Sequence, residues 1–201
     1  AVLLAVNRGG SRTFIYLGAV LNQGGQPSQA GVVYIDDRPV TKRLEIKEGL
    51  IEYDVVVHQA NDPMVSPSLA ESQMYRLEGG TLLLTRLESQ TTNGQTRKIV
   101  IDSPRNGDLA GGVVQVQGSM PIGPFENNLA YRLYDAAGNQ IDAQPFGVQA
   151  PDMGAPATFD NPVSLPALPK GTVVWLELAE LSMADGAPLA VPRVQMVVGE
   201  P

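Results

Sequence analysis

Between residues 43 and 57 apolar and polar side chains take turns. Leu44 and Ile46 are interleaved with Arg43, Glu45 and Lys47, and Ile51, Tyr53, Val55 and Val57 with Glu52, Asp54 and His58. A period of two places one set on each side of an extended strand, so this stretch is suited to a sheet with one dry face and to no helix. Lys47-Glu48-Gly49 separates the two runs and supplies the turn of a hairpin. A second hairpin follows, in which Tyr75 and Leu77 lead into Glu78-Gly79-Gly80 and the chain returns through Thr81, Leu82, Leu83, Leu84 and Thr85. Phe14 to Val20 and Val32 to Ile35 read as earlier strands. A meander of five or six strands hides its apolar face only by packing on a neighbour or by curling into a small barrel.

Composition agrees with many short strands joined by turns. The 201 residues are 43% hydrophobic and 17% charged, with 21 Gly and 16 Pro. So much apolar and so little charged material argues against disorder. Without cysteine there is no disulfide, thiolate metal site or cysteine nucleophile. A formal net charge of -7 does not suit a nucleic-acid binder, which needs a surplus of Lys and Arg. No apolar run is long enough to span a bilayer as a helix. The opening AVLLAV is short and lacks a basic leader, so a start at Ala1 is expected to reflect trimming of a preceding signal or anchor.

The chain is expected to divide near residue 95, into 1–95 and 98–201. Residues 1–100 carry 10 basic and 10 acidic side chains, residues 101–201 carry 4 and 11, and the stretch SQTTNGQT at 89–96 is a natural linker. Twelve of the 16 prolines lie after residue 100. Seven short strands are predicted there, near Lys98–Asp102, Val113–Gly118, Leu129–Tyr134, Gln144–Val148, Ala157–Val163, Thr172–Leu178 and Arg193–Val198. That count, with turns between, is the pattern of an immunoglobulin-like β-sandwich. Val114, Val116, Leu129, Tyr131, Leu133, Val174, Leu176, Leu178, Val194 and Met196 are its predicted inward positions.

The run IVIDSPRNGDLAGGVVQVQGSMPIGPFENNLAYRLYDAAGNQI resembles the immunoglobulin-like domain of bacterial spore-germination and other bacterial envelope proteins. The likeness rests on Ser103-Pro104, Val116-Gln117-Gly118, Phe125-Glu126 and Asp135 to Gly138, in that order, and extends over residues 98–199. It implies a bacterial, extracytoplasmic, non-catalytic module accompanying another domain. The N-terminal half, if closed, would resemble the small barrels of lipocalin-like envelope proteins.

Candidate chemistry is sparse. His58 is the only imidazole and shares its loop with Asp62, Ser66 and Ser68, but a hydrolase triad expects a nucleophile elbow such as Gly-x-Ser-x-Gly, which is absent. A solvated strand-end histidine is therefore expected. Ser68 to Glu71 has capping-box spacing and predicts one helical turn in a long loop from Gln59 to Gln73. Asp36-Asp37 and Asp135, Asp142, Asp152 and Asp160 lack the spacing of a calcium loop. No phosphate-binding glycine motif occurs, so neither a metal nor another cofactor is expected. Trp175 falls opposite Val174, Leu176 and Leu178; it is either an exposed contact or, with the register shifted, the core tryptophan of the sandwich.

The expectation is thus an all-β, two-domain, non-enzymatic binding or structural module of the bacterial cell envelope. Its ligand-binding candidates are Trp175, Met64, Val65, Leu69 and His58. Its partner would be a surface protein or cell-wall glycan, with the membrane reached only through a missing N-terminal anchor. The alternative is a small-ligand carrier or inhibitor, with a barrel in the first half and loop 59–73 as lid. In either case no carboxylates and imidazole are expected to converge inside the protein.

Overall fold

The computed structural model describes residues 1–199, which form strands and turns with no α-helix. It divides into two compact units, Ala1–Gly94 and Gln95–Pro201.

The N-terminal unit contains two antiparallel sheets. The first has β1 (Val2–Val6), β2 (Phe14–Gln23) and β3 (Gln26–Asp37) in that order; the second is a meander of β4 (Val40–Lys47), β5 (Leu50–Val57), β6 (Leu69–Glu78) and β7 (Thr81–Gln90). Three two-residue turns tie neighbouring strands: Gly24-Gly25, Glu48-Gly49 and Gly79-Gly80, all with positive φ at both positions. That geometry matches the twist of the flanking strands, and glycine adopts it without a Cβ penalty. Neither sheet closes on itself, so the meander reading holds and the barrel reading does not. Leu17 and Ala19 of β2 pack with Ile51, Tyr75 and Leu82 to form the core between the sheets. Leu17 is fully buried, which contributes about 2 kcal/mol. Gly31 shows how near the layers come. A Cβ there would sit 3.1 Å from both the Gly80 carbonyl oxygen and the Leu82 amide nitrogen.

Two sequence expectations change here. β1, built from AVLLAV, is a strand that the alternation rule passes over because it has no polar residues to alternate. The long loop closes earlier than expected: β6 begins at Leu69, so no helical turn forms at Ser68–Glu71 and no lid of residues 59–73 exists. Pairing with β5, from Leu69 opposite Val57 to Arg76 opposite Leu50, outweighs the local capping-box preference.

The C-terminal unit is a sandwich. After the two-residue β8 (Thr96–Arg97) come β9 (Val100–Ser103), β10 (Asp108–Ala110), β11 (Val113–Met120), β12 (Asn128–Asp135), β13 (Gln140–Gly147), β14 (Ala157–Ser164), β15 (Val173–Leu181) and β16 (Pro188–Val198). One layer runs β13-β12-β15-β16 with β10 parallel to β16, and the other runs β14-β11-β9. All ten predicted inward residues are buried in the shared core, joined by Phe146 and Phe159, whose rings meet edge to face at 5.4 Å. Pro145 and Pro162 lie on β13 and β14, each at the end of its layer, where a missing amide proton breaks no ladder. Gly118 explains the Val-x-Gly motif. It sits where β11 shifts register against β9, and a side chain there would collide with the Val100 carbonyl and the Phe159 ring.

Candidate functional site

His58 directly follows β5 and is mostly shielded from solvent, not solvated as expected. Asp36, at the end of β3, accepts hydrogen bonds from the His58 backbone amide at 2.7 Å, and its Oδ2 lies 2.8 Å from His58 Nδ1. The imidazole is 17% exposed, and its Nε2 is buried without a hydrogen-bond partner. On the same side of β6, Glu71, Gln73 and Tyr75 form a chain: Gln73 Nε2 donates to Glu71 at 2.5 Å and the Tyr75 hydroxyl donates to Gln73 at 2.7 Å. Burial pushes Glu71 up to about 7, and repulsion from Asp36 adds to the shift. Carboxylates and imidazole do therefore gather inside this unit, contrary to expectation. The alternation of β5 does not forecast it, because the polar members arrive from β3 and β6.

That gathering does not form a triad. Asp62 accepts from the Gln59 and Ser68 amides and from the Ser68 hydroxyl at 2.8 Å, so it ties its own loop together. Those bonds, with the Gln59 amide first, hold its carboxyl below the usual range. Asp36, not Asp62, orients His58, and among the described residues no serine hydroxyl bonds to the imidazole. Of the apolar loop candidates, Met64 and Val65 are exposed, whereas Leu69 is buried on β6. Trp175 belongs to the C-terminal unit. Trp175 occupies the face opposite Leu176, as alternation requires, yet is only 3% exposed and is not part of the sandwich core. Period two assigns a face, and the face opposite a core can also be covered. Among the described residues no group of three or more His, Asp and Glu could hold a metal.

The feature with the geometry of a binding site lies in the C-terminal unit and was not foreseen. On the layer β13-β12-β15, Ala130 stands opposite Ala179 on one side and Pro145 on the other, and Arg132 stands opposite Ala143. Small side chains meeting in register leave a depression, while Arg132, Pro145, Leu181, Met183 and Phe125 stand around it, and the groove has a volume of about 520 Å³. Phe125 and Met183 at its rim are both exposed. The Phe125 end is a tight turn in which Glu126 and Asn127 hold φ of 53° and 54°. Asparagine tolerates that left-handed region, but glutamate is strained in it, and such strain gathers at working sites.

One lining residue carries a buried polar atom with no hydrogen-bond partner, Glu180 Oε2, whereas the Tyr131 side chain lies in the sandwich core. Glu180 is 3% exposed and pairs through its other oxygen with Arg97. Burial raises its pKa against the pull of Arg97. Beneath Arg132 the buried Glu177 bonds both Arg132, at 3.0 Å, and Arg193, at 2.6 Å, which fixes that wall of the groove. The arrangement offers an apolar trough with a few fixed polar groups, the common form of a recognition surface. Sequence held one trace of it, the Phe125-Glu126 pair.

The two-layered sandwich of the C-terminal unit is consistent with the immunoglobulin-like fold class. More particularly, residues 98–187 match the family model of the immunoglobulin-like domain of bacterial spore germination, while residues 1–97 lie outside the match. No curated protein matches the chain.

Proposed function

We propose that this protein is a non-catalytic binding module of the bacterial cell envelope, working outside the cytoplasm, and that the groove over Ala130, Ala143 and Ala179 is its ligand face. The groove, with exposed Phe125 and Met183 at its rim, is the observation that carries the reading. The envelope setting is supported by the likeness of residues 98–187 to the germination domain. Phenylalanine, methionine, leucine and proline around an alanine floor suit an extended segment of a surface protein better than a cell-wall glycan, which favours flat stacked aromatic rings. His58, Met64, Val65, Leu69 and Trp175 have no part in this reading.

The test uses the full chain with its Met183 methyl group labelled for NMR. Peptides selected from a random display library, and in parallel soluble muropeptides, are titrated against it. Peptides should shift the Met183 signal and lose affinity at least tenfold in Ala143→Trp, which fills the groove from an exposed position. Selected peptides that bind without moving Met183, or equally well to Ala143→Trp, refute the assignment.

A further inference from the structure

An antiparallel sheet that covers a core on one side normally shows polar residues on the other. The sheet β1-β2-β3 does not. Leu17 and Ala19 face the core, and on the opposite side Leu4, Tyr16 and Tyr34 stand in one cross-strand row, with Phe14, Val20 and Val32 around them. Leu4, Val20, Val32 and Tyr34 are exposed, at 40%, 41%, 39% and 49%. Tyr34 contacts Tyr16 at 5.4 Å and Phe14 at 6.2 Å, with the rings steeply tilted, so the patch is not a flat sugar-stacking platform.

The charge around this face is unlike that of the rest of the chain. Residues 1–37 contain Arg8 and Arg12, and acidic residues only at the end of β3, Asp36 and Asp37, within a protein of net charge -7. Both arginines lie in the β1–β2 connection, beside the aromatic end of the sheet. Burial raises the Tyr34 hydroxyl pKa, the carboxylates of Asp36 and Asp37 and then Tyr16 add to the shift, and Arg12 opposes it. The nearest carboxylates are already engaged: Asp36 by His58, Asp37 by the Thr13 amide at 2.8 Å and by Arg38 at 3.1 Å.

An apolar, aromatic face edged by cations and lacking free carboxylates has the composition of a surface that settles into the boundary of a negatively charged bilayer. We infer that the outer face of β1-β2-β3 docks on anionic lipid, with Leu4, Tyr16, Val32 and Tyr34 entering the headgroup boundary and Arg8 and Arg12 meeting lipid phosphates. A second copy of this chain would also cover apolar area, and it is the competing occupant that the ultracentrifugation arm of the test detects. This inference is independent of the groove on the other unit.

The full chain is sedimented with vesicles of phosphatidylcholine alone and of phosphatidylcholine containing one third phosphatidylglycerol. Binding to the anionic vesicles is expected, weakening as salt is raised. Arg8→Gln with Arg12→Gln should weaken that partition about thirtyfold, from about 1 kcal/mol per cation near the surface. Tyr34→Ser with Leu4→Ser, on exposed positions, should weaken it as well, whereas Ala143→Trp should leave it unchanged. A tryptophan introduced by Val32→Trp should be quenched by brominated lipid. Equal binding to both vesicle types, no binding to either, or a dimer in ultracentrifugation that the face substitutions dissolve would each overturn the inference.

Discussion

Replacing Glu71 by glutamine should abolish a pH-dependence of the stability of the N-terminal unit. In the folded unit burial pushes Glu71 up from its ordinary 4.5 to about 7, against the hydrogen bond from Gln73, and repulsion from Asp36 adds to the shift. A tenfold change in proton affinity corresponds to about 1.4 kcal/mol, so the difference amounts to about 3 kcal/mol. Its sign follows from the direction: the folded chain holds this proton more tightly than the unfolded chain. The stabilisation is complete below the unfolded value and is lost as pH rises through the folded one. The unit is therefore expected to be less stable at pH 8 than at pH 5, the opposite of the trend for a salt-bridged carboxylate. Glutamine keeps an acceptor for the Gln73 amide, which donates to Glu71 Oε2 at 2.5 Å, and carries no charge to desolvate. The assay is urea unfolding from pH 5 to pH 8, read from the methyl NMR signals of Val55 and Val57, which are buried on neighbouring β5. His58 and Asp36 remain in both proteins, so the difference between the two curves isolates Glu71. A midpoint in the wild type that does not fall across this range, or a fall that persists unchanged in Glu71→Gln, would show that the burial argument is mistaken.

Other substitutions probe the C-terminal unit, where Trp175 reports urea unfolding by fluorescence. Tyr131→Phe removes a buried hydroxyl that has no partner and should be neutral or stabilise the unit by about 1 kcal/mol; a clear loss of stability would reveal an unrecognised bond. Gly118→Ala places a methyl group against the Val100 carbonyl and the Phe159 ring and should destabilise the sandwich by on the order of 3 kcal/mol. Glu177→Gln leaves Arg132 and Arg193 without their shared carboxylate; a loss of about 3 kcal/mol is expected, and a change under about 1 kcal/mol would mean that solvent screens the network.

Most of the strands could be read from sequence because their side chains report two environments at once. β5 and β12 are legible for that reason, and so is the burial of Tyr131, Leu176 and Met196. The rule fails where the two environments are alike. β1 is apolar on both sides and shows no alternation, and β6 carries Glu71 and Gln73 on its inward side, so its polar residues suggest a loop. Trp175 marks a third limit, since the period identifies its face but not whether that face is wet. The groove was beyond reach for another reason: Ala130, Ala143 and Ala179 are ordinary residues on three strands, and only cross-strand register makes them one floor. The His58–Asp36 pair likewise joins residues 22 positions apart.

The paired positive-φ turns also bear on how quickly each unit can assemble. β2 with β3, β4 with β5 and β6 with β7 are each closed by two residues, so almost no chain entropy is lost before the first ladder bonds form. In the C-terminal unit β11 must find β14 and β12 must find β15 across long intervening segments, which is the slow kind of encounter. During synthesis the first unit leaves the ribosome early and can zip up locally, one hairpin after another, while the sandwich waits for its last strand to emerge.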